Sequence, residues 1–352
     1  MELPNMITGP GFSVMTLTTR LNNVTYRPNF LGSIPGLFSY DGFRGKTLGI
    51  EENNGSLSII QTSERGTAPT QSGNAKRTLR DVSSARIAIE KHVYADEVTG
   101  ILASSGPDLA PELAALQTPE ALINERMEGP FGARAQIELT QEYHRLGAIM
   151  GIVLDKDASE LFNWYTFFGI SAVAAHNTNF AALTADAGTF EAQCAALKRT
   201  MVKELKGMPL TTMLPIALCG DNYFDQVYSN KEVVAARKTR DTGRDPDVFE
   251  NNQAYSSVKY GGIWWVNYRG TDDGAVGIHT DKARLLPIGV PGLFQMQFGS
   301  PDILNWTNVK GLPVFAFMPS ERQTSRQITM EAQSNAVTFC ARPRALRELT
   351  KS

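Results

Sequence analysis

Chemistry in this chain would have to start from four histidines, His92, His144, His176 and His279, and three cysteines, Cys194, Cys219 and Cys340. No histidine has a second one at i+3 or i+4, and none lies near a cysteine at metal-ligand spacing. The cysteines are far apart and make no CxxC pair, which fits a reducing compartment. A histidine beside a helical stripe, such as His144, more often packs at an interface than binds a metal. Asp155 with Asp157, and Asp272 with Asp273, have the charge to attract a cation. Aspartate is favoured in turns for its own reasons, and the ligand pattern of an EF-hand is absent. No Gly-x-Ser-x-Gly elbow occurs, and no Gly-rich loop runs into Gly-Lys-Ser/Thr. The sequence therefore predicts no catalytic residue, no cofactor site and no metal site.

The remaining clusters have bland readings. Arg237, Lys238, Arg240 and Arg244 form the densest basic group, read first as a solvated loop and second as a surface facing DNA. Trp264-Trp265 and the aromatic run 162–168 could stack a sugar, yet aromatics in strand patterns more often fill a core or a subunit interface. Net charge is -2 with the signs interspersed, so no DNA-reading face and no basic membrane-binding face is expected. With 352 residues, 42% of them hydrophobic, the chain can bury one large domain or two smaller ones. The first residues lack a basic and then apolar leader, and no apolar run approaches the ~20 residues of a membrane span. The expectation is a soluble protein made and used without export.

The elements around these residues point to mechanics rather than chemistry. Residues 46–92 read as one long hairpin, with extended runs Thr47–Gln61 and Thr78–His92 flanking a polar tip, Arg65–Asn74. At ~15 residues per arm and ~3.3 Å per residue it would project on the order of 40–50 Å. An isolated two-stranded hairpin is marginal in water, so this one needs a surface to lie on, and a second copy of the chain is the natural one. Asn54-Gly55 is a turn signal that would pair Lys46–Glu52 with Leu57–Ile60 in a smaller hairpin or strand break. Residues 1–45 carry Gly, Pro and Asn among scattered apolar side chains, at a spacing that fits neither helix nor strand. They read as an extended arm whose Phe12, Leu17, Tyr26 and Phe30 bury against neighbours.

After a Ser/Pro/Ala-rich connector, Thr118 and Pro119 open a helix. If continuous to Met150 it would be about 48 Å long, but Gly129-Pro130 should interrupt or kink it. Leu139, Tyr143, Leu146 and Met150 mark its apolar stripe. Two strands, 151–159 and 160–168, follow around an Asp-rich turn. Helices are expected at Phe190–Leu205, from Tyr223 and over Val233–Lys238, with a strand at Thr211–Cys219. Further strands are expected at Ile263–Tyr268, Phe294–Phe298, Val314–Phe317, Gln327–Glu331 and Val337–Cys340.

Several short motifs occur together in a set order: Arg65-Gly66, Asp96-Glu97-Val98, Leu218–Asp225 (LCGDNYFD), Tyr260–Gly270 (YGGIWWVNYRG), Leu286–Phe294 (LPIGVPGLF), Glu331–Asn335 (EAQSN) and Ala341-Arg-Pro343. From about residue 45 onward the chain resembles the lambda-type major capsid proteins of tailed bacteriophages, the phage major capsid protein E family. It departs from that pattern at Ala336-Val337, where Pro and an apolar residue are common, and at the Gly-Pro inside the long helix.

The resemblance implies an α+β chain with the Hong Kong 97-type capsid fold: arm 1–45, E-loop hairpin 46–92, peripheral domain 93–175 with a spine helix, completed by 325–352, and axial domain 176–324. It implies a structural protein, not an enzyme, whose hexamers and pentamers close an icosahedral shell around double-stranded DNA in the virion, after assembly in the host cytoplasm. The hairpin residues expected to meet other subunits are Arg65, Thr67, Pro69, Gln71, Lys76 and Arg77. Expected partners are further copies of the chain, a separate scaffolding protein, a portal and weakly held, non-specifically contacted DNA, with room for a decoration protein and no membrane. The scaffold is expected to be separate because residues 1–45 show no sustained heptad or helical period. Lys46 and Lys76 read as charges that protect a strand edge rather than as cross-linking groups. Two other readings stand beside this one, an encapsulin-like nanocompartment shell and a soluble α+β hydrolase acting through scattered carboxylates.

Overall fold

The computed structural model describes residues 30–54, 76–97, 119–180, 183, 188–210, 212–240, 256–268, 270, 276–324 and 326–351. In chain order its strands are β1 (Phe38–Gly42), β2 (Thr47–Asn54), β3 (Lys76–Ser83), β4 (Ala85–Tyr94), β5 (Ile152–Leu154), β6 (Glu160–Asn163), β7 (His176–Thr178), β8 (Leu214–Cys219), β9 (Ser257–Tyr260), β10 (Ile263–Asn267), β11 (Lys282–Ile288), β12 (Phe294–Phe298), β13 (Phe315–Phe317), β14 (Gln327–Cys340) and β15 (Arg347–Lys351). Its helices are α1 (Phe30–Ser33), α2 (Pro119–Glu128), α3 (Ala133–Met150), α4 (Trp164–Phe168), α5 (Thr189–Glu204), α6 (Asp221–Ser229) and α7 (Lys231–Arg240).

The first sheet is organised by β14. The two runs expected at 327–331 and 337–340 are one continuous strand of 14 residues, because the polar stretch between them is buried and paired as well. Along one edge β14 pairs antiparallel with β4, from Gln327↔Tyr94 to Ala336↔Ala85. Along the other edge it changes partner. Glu331–Gln333 face β13, and Ala336–Cys340 face β12, which in turn holds β1 in parallel.

Polar side chains close the gap where the partner changes. Gln141 of α3 donates to Ser334 Oγ (3.0 Å) and to the Pro313 carbonyl (3.1 Å). Asn335 donates to the Ser300 carbonyl at 2.6 Å, while its own carbonyl accepts from Gly299 N–H at 2.7 Å. Buried polar groups need such partners, which accounts for Gln, Ser and Asn inside an otherwise apolar strand.

The second sheet runs β7-β15-β11-β8-β10-β9 and is covered on both faces. On β10, Trp264 and Val266 enter one core and Ile263 and Trp265 the other; β8 and β11 alternate in the same way. Burial on both faces produces unbroken apolar runs such as IWWV in place of an apolar-polar alternation. Helices α5, α6 and α7 lie on the Trp265 side, while α1, α3 and the first sheet enclose the Trp264 side. Gly261 and Gly262, with φ of +58° and +73°, make the two-residue turn between β9 and β10. The sheets divide the chain elsewhere than the expected domain limits: 294–298 and 315–317 belong with β14, and 347–351 joins the second sheet.

Helices α2 and α3 are separated at 129–132, as Gly129-Pro130 predicts. The expected stripe on α3 is displaced. Leu139 is 47% exposed, whereas Ile137, Gln141, Glu142, Arg145, Leu146 and Ile149 point inward. Polar residues take the inner positions because their partners are there. Glu142 accepts from Leu31 N–H (2.7 Å), Arg145 (3.2 Å) and Tyr268 hydroxyl (3.4 Å), joining α3 to the segment before β1 and to the end of β10. Trp164–Phe168, expected as strand, is helix α4, capped by Asn163 Oδ1 accepting from the N–H groups of Tyr165 and Thr166 at 3.1 Å.

Burial pushes His144 on α3 down to about 4, with Asp155 opposing the shift and Arg145 reinforcing it. The unfolded chain, with its imidazole near 6.5, takes up a proton that the folded chain resists. This contribution to stability is therefore complete above pH 6.5 and is lost as pH falls toward 4, on the order of 3 kcal/mol in all. We expect His144→Gln to flatten the melting-temperature profile between pH 6.5 and 4; parallel profiles for both proteins would refute the assignment.

Candidate assembly site

The hairpin exists, but its second arm is shared between two structures. β2 pairs with β3 over eight rungs, from Thr47↔Ser83 to Asn54↔Lys76. Residues 47–52 therefore pair across to 78–83 and not with 57–60 as Asn54-Gly55 had implied. After Ser84 the chain leaves the hairpin and becomes β4 in the first sheet, so 85–92 belongs to the core and not to a projection. The tip lies outside the described residues.

Side chains on the hairpin alternate between two faces. Leu48, Ile50, Arg80 and Val82 turn inward onto a cluster of Val153, Trp164, Phe168, Val337 and Phe339. Trp164 is fully buried there, with Phe162, Phe167 and Phe339 ring centroids 5.4–5.6 Å away. Arg80 donates to the Phe167 carbonyl and holds its guanidinium 6.0 Å from that ring's centroid. The hairpin root is thus fixed to β5, β6 and α4. Removing the Arg80 contacts with Arg80→Ala should cost about 1–2 kcal/mol, read as roughly tenfold faster amide exchange along 47–54. Unchanged exchange would mean that the apolar contacts alone hold the root.

The outward face carries Thr47, Gly49, Glu51, Leu79, Asp81 and Ser83. Leu79, opposite Glu51, is 69% exposed. Sequence reasoning did not single it out; the available signal was an apolar residue on the outward phase of an alternating strand. Of the predicted contact residues, Lys76 and Arg77 sit on β3 opposite Asn54 and Asn53. Arg65, Thr67, Pro69, Gln71, Phe12, Leu17 and Tyr26 lie outside the described residues. Phe30 is a correction: its own chain buries it, against Tyr268 at 5.6 Å, so it belongs to the subunit core.

Among the described residues those with chemical potential are not brought together, and Asp272 and Asp273 lie outside them. Asp157 Oδ1 accepts from Ser159 N–H and Oγ at 3.0 and 2.6 Å, closing a turn of its own. All three cysteines are buried, and burial pushes their thiols up, Cys340 to about 12. Among the described residues no three metal-ligating side chains cluster, and no helix is long and apolar enough to cross a membrane. Arg237 of the basic group stacks 3.9 Å from the Tyr228 ring centroid. The motifs mark backbone requirements instead. At Gly220, which opens α6, an added Cβ would lie 2.3 Å from the His279 carbonyl; Gly289, at φ +74°, turns the chain from one sheet toward the other.

Comparison with solved structures gives the class. The capsid subunit of cyanophage A-1(L) superposes with a TM-score of 0.52 at 13% identity, covering 94% of this chain and 94% of that one. The putative capsid protein of a prophage of E. coli CFT073 superposes with a TM-score of 0.50 at 13% identity, covering 96% and 93%. The fold is that of Hong Kong 97-type capsid subunits. No curated protein matches the sequence. The family model described as phage major capsid protein E matches residues 13–351, and the chain belongs to that family.

Proposed function

We propose that this chain builds the shell as hexamers and pentamers, with the 47–83 hairpin of each copy lying across a neighbour. The observation that carries the proposal is the hairpin itself: its inner face is fixed to its own subunit while Leu79 on the outer face has no cover among the described residues. Residence in the virion capsid follows from the family. A closed shell needs the same contact at slightly different angles around five- and six-fold positions. A two-stranded projection anchored only at its root supplies that tolerance. The polar tip residues Arg65, Thr67, Pro69 and Gln71, with Lys76 and Arg77 at the start of β3 and the arm residues Phe12, Leu17 and Tyr26, are proposed to extend the same contacts. Residues 93–175 with β14 would form the peripheral part and the second sheet the axial part. A separate scaffolding protein, a portal and non-specifically contacted DNA are the proposed partners, and the work is mechanical rather than catalytic.

Negative-stain imaging of the protein, expressed alone and with its neighbouring gene products, tests this reading. Closed icosahedral particles that carry DNA when made in infected cells are the expected result. Particles filled with a protein cargo would favour a nanocompartment shell, and a small discrete oligomer would overturn the shell altogether.

A further inference from the structure

We propose that the solvent face of α5 is a docking surface for the sugar-phosphate backbone of duplex DNA, and hence part of the inner wall of the shell. The inference rests on the shell reading above and gives its nucleic-acid partner a location. Helix α5 has two sharply different faces. Phe190, Cys194, Leu197 and Met201 are buried against the second sheet. Ala195, Lys198, Arg199, Val202 and Lys203, at i, i+3, i+4, i+7 and i+8, line a shallow groove on the flank away from that core, with the Lys198 ammonium beside the Gly262 turn.

Three cations therefore share one helix face, on a chain whose net charge is only -2. They lie within six residues, whose five rises make about 7.5 Å of helix. None of the three forms an ion pair among the described residues, and the groove contains no carboxylate. The nearby acid on α5, Glu204, is held by Arg344 at 3.2 Å. Arg199 Nε donates to the Ala195 carbonyl one turn back. Lys206, exposed just beyond the helix end, extends the row.

The floor of the groove determines what kind of ligand fits. Ala195 and Val202 offer methyl groups, and no Asn, Gln, Ser or Thr points into it to read a base edge. Cations around an apolar floor suit phosphates, and contacts to phosphate carry no sequence information. That suits a surface that must meet any stretch of a packaged genome. The basic group at 237–244, nominated by sequence density, is the weaker candidate, since Arg237 is stacked on Tyr228.

The test is binding of a 30-base-pair duplex of arbitrary sequence to the full-length, unassembled protein over 50–200 mM salt, by fluorescence anisotropy. The comparison variant is Lys198→Glu/Arg199→Glu/Lys203→Glu. Three phosphate contacts correspond to a salt slope of about -2.7, so wild type should lose roughly 40-fold more affinity across that range than the variant does. A milder set, Arg199→Gln/Lys203→Gln, should remove about two-thirds of the slope difference and covers failure of the triple variant to fold. Equal slopes for wild type and variants overturn the inference. So does poly-L-glutamate binding through the same three cations while the duplex does not bind, which would assign the groove to an acidic protein segment. Shell formation is scored separately by sedimentation: variants that close shells but have lost the slope support the inference, whereas wild type that forms no shell is a failure of the shell reading itself.

Discussion

Deleting residues 66–73 should leave a subunit that folds and melts like the full chain and yet does not close into shells. The root of the hairpin is held by Leu48, Ile50, Arg80 and Val82, none of which the deletion touches. Subunit stability should therefore change by no more than about 0.5 kcal/mol. Assembly should respond far more strongly, because every copy loses the same contact at once. A loss of about 1.4 kcal/mol per contact is tenfold in each association step, and closure multiplies it over the shell. Leu79→Glu separates reach from chemistry: the hairpin keeps its length while its exposed apolar side chain is replaced by a charge. Thermal melts and sedimentation profiles of both variants make the check. Wild-type particle yields from both would place the contacts between copies elsewhere on the subunit.

Glu142→Leu should be the most damaging single change to the isolated subunit, at roughly 3–5 kcal/mol. Glu142 and Arg145 are both almost fully buried, at 5% and 3% exposure. The substitution takes the carboxylate away from the buried Arg145 charge and the acceptor away from the Leu31 N–H and the Tyr268 hydroxyl. The pair also ties residues 30–38 to α3, so the damage should spread to β1. Denaturant melts would report the loss of stability, and proteolysis near residue 30 would report release of the segment. A variant that unfolds within about 1 kcal/mol of wild type would mean that the pair contributes little beyond an apolar filling. The double change Glu142→Leu/Arg145→Leu distinguishes these cases, since removing both charges should restore much of the loss.

How far the sequence could be read depended on how local each signal was. The break at Gly129-Pro130, the helices α5 and α6, and strands β8, β10, β12 and β13 follow from neighbours in the chain, and their expected positions agree with the structure to within a few residues. The family's motifs identified the fold although they mark turns and buried seams rather than reactive groups. What stayed hidden is set by distant partners. Polar residues on α3 read as outward-facing until Ser334, Leu31 and Tyr268 are seen to meet them. The unity of β14 is masked because its buried Gln333, Ser334 and Asn335 imitate a loop. The hairpin's second arm looks continuous in sequence, yet β3 and β4 join different sheets. For the assembly surface, an outward Leu79 can be recognised only once the alternation of β3 is phased.

The arrangement of β4 and β14 governs how the subunit carries force. Outward pressure in a filled shell would stretch its subunits in the plane of the wall. Tension entering through the hairpin would pass across Ser84 into β4. There it meets a ten-rung antiparallel ladder whose hydrogen bonds lie perpendicular to the strands. A pull along β4 loads those bonds in shear, all together, instead of peeling them one after another. The weak direction is the orthogonal one, lifting β4 away from β14 rung by rung. A projection leaving in line with β4 would protect the subunit from rupture, and one bent steeply away would unzip it.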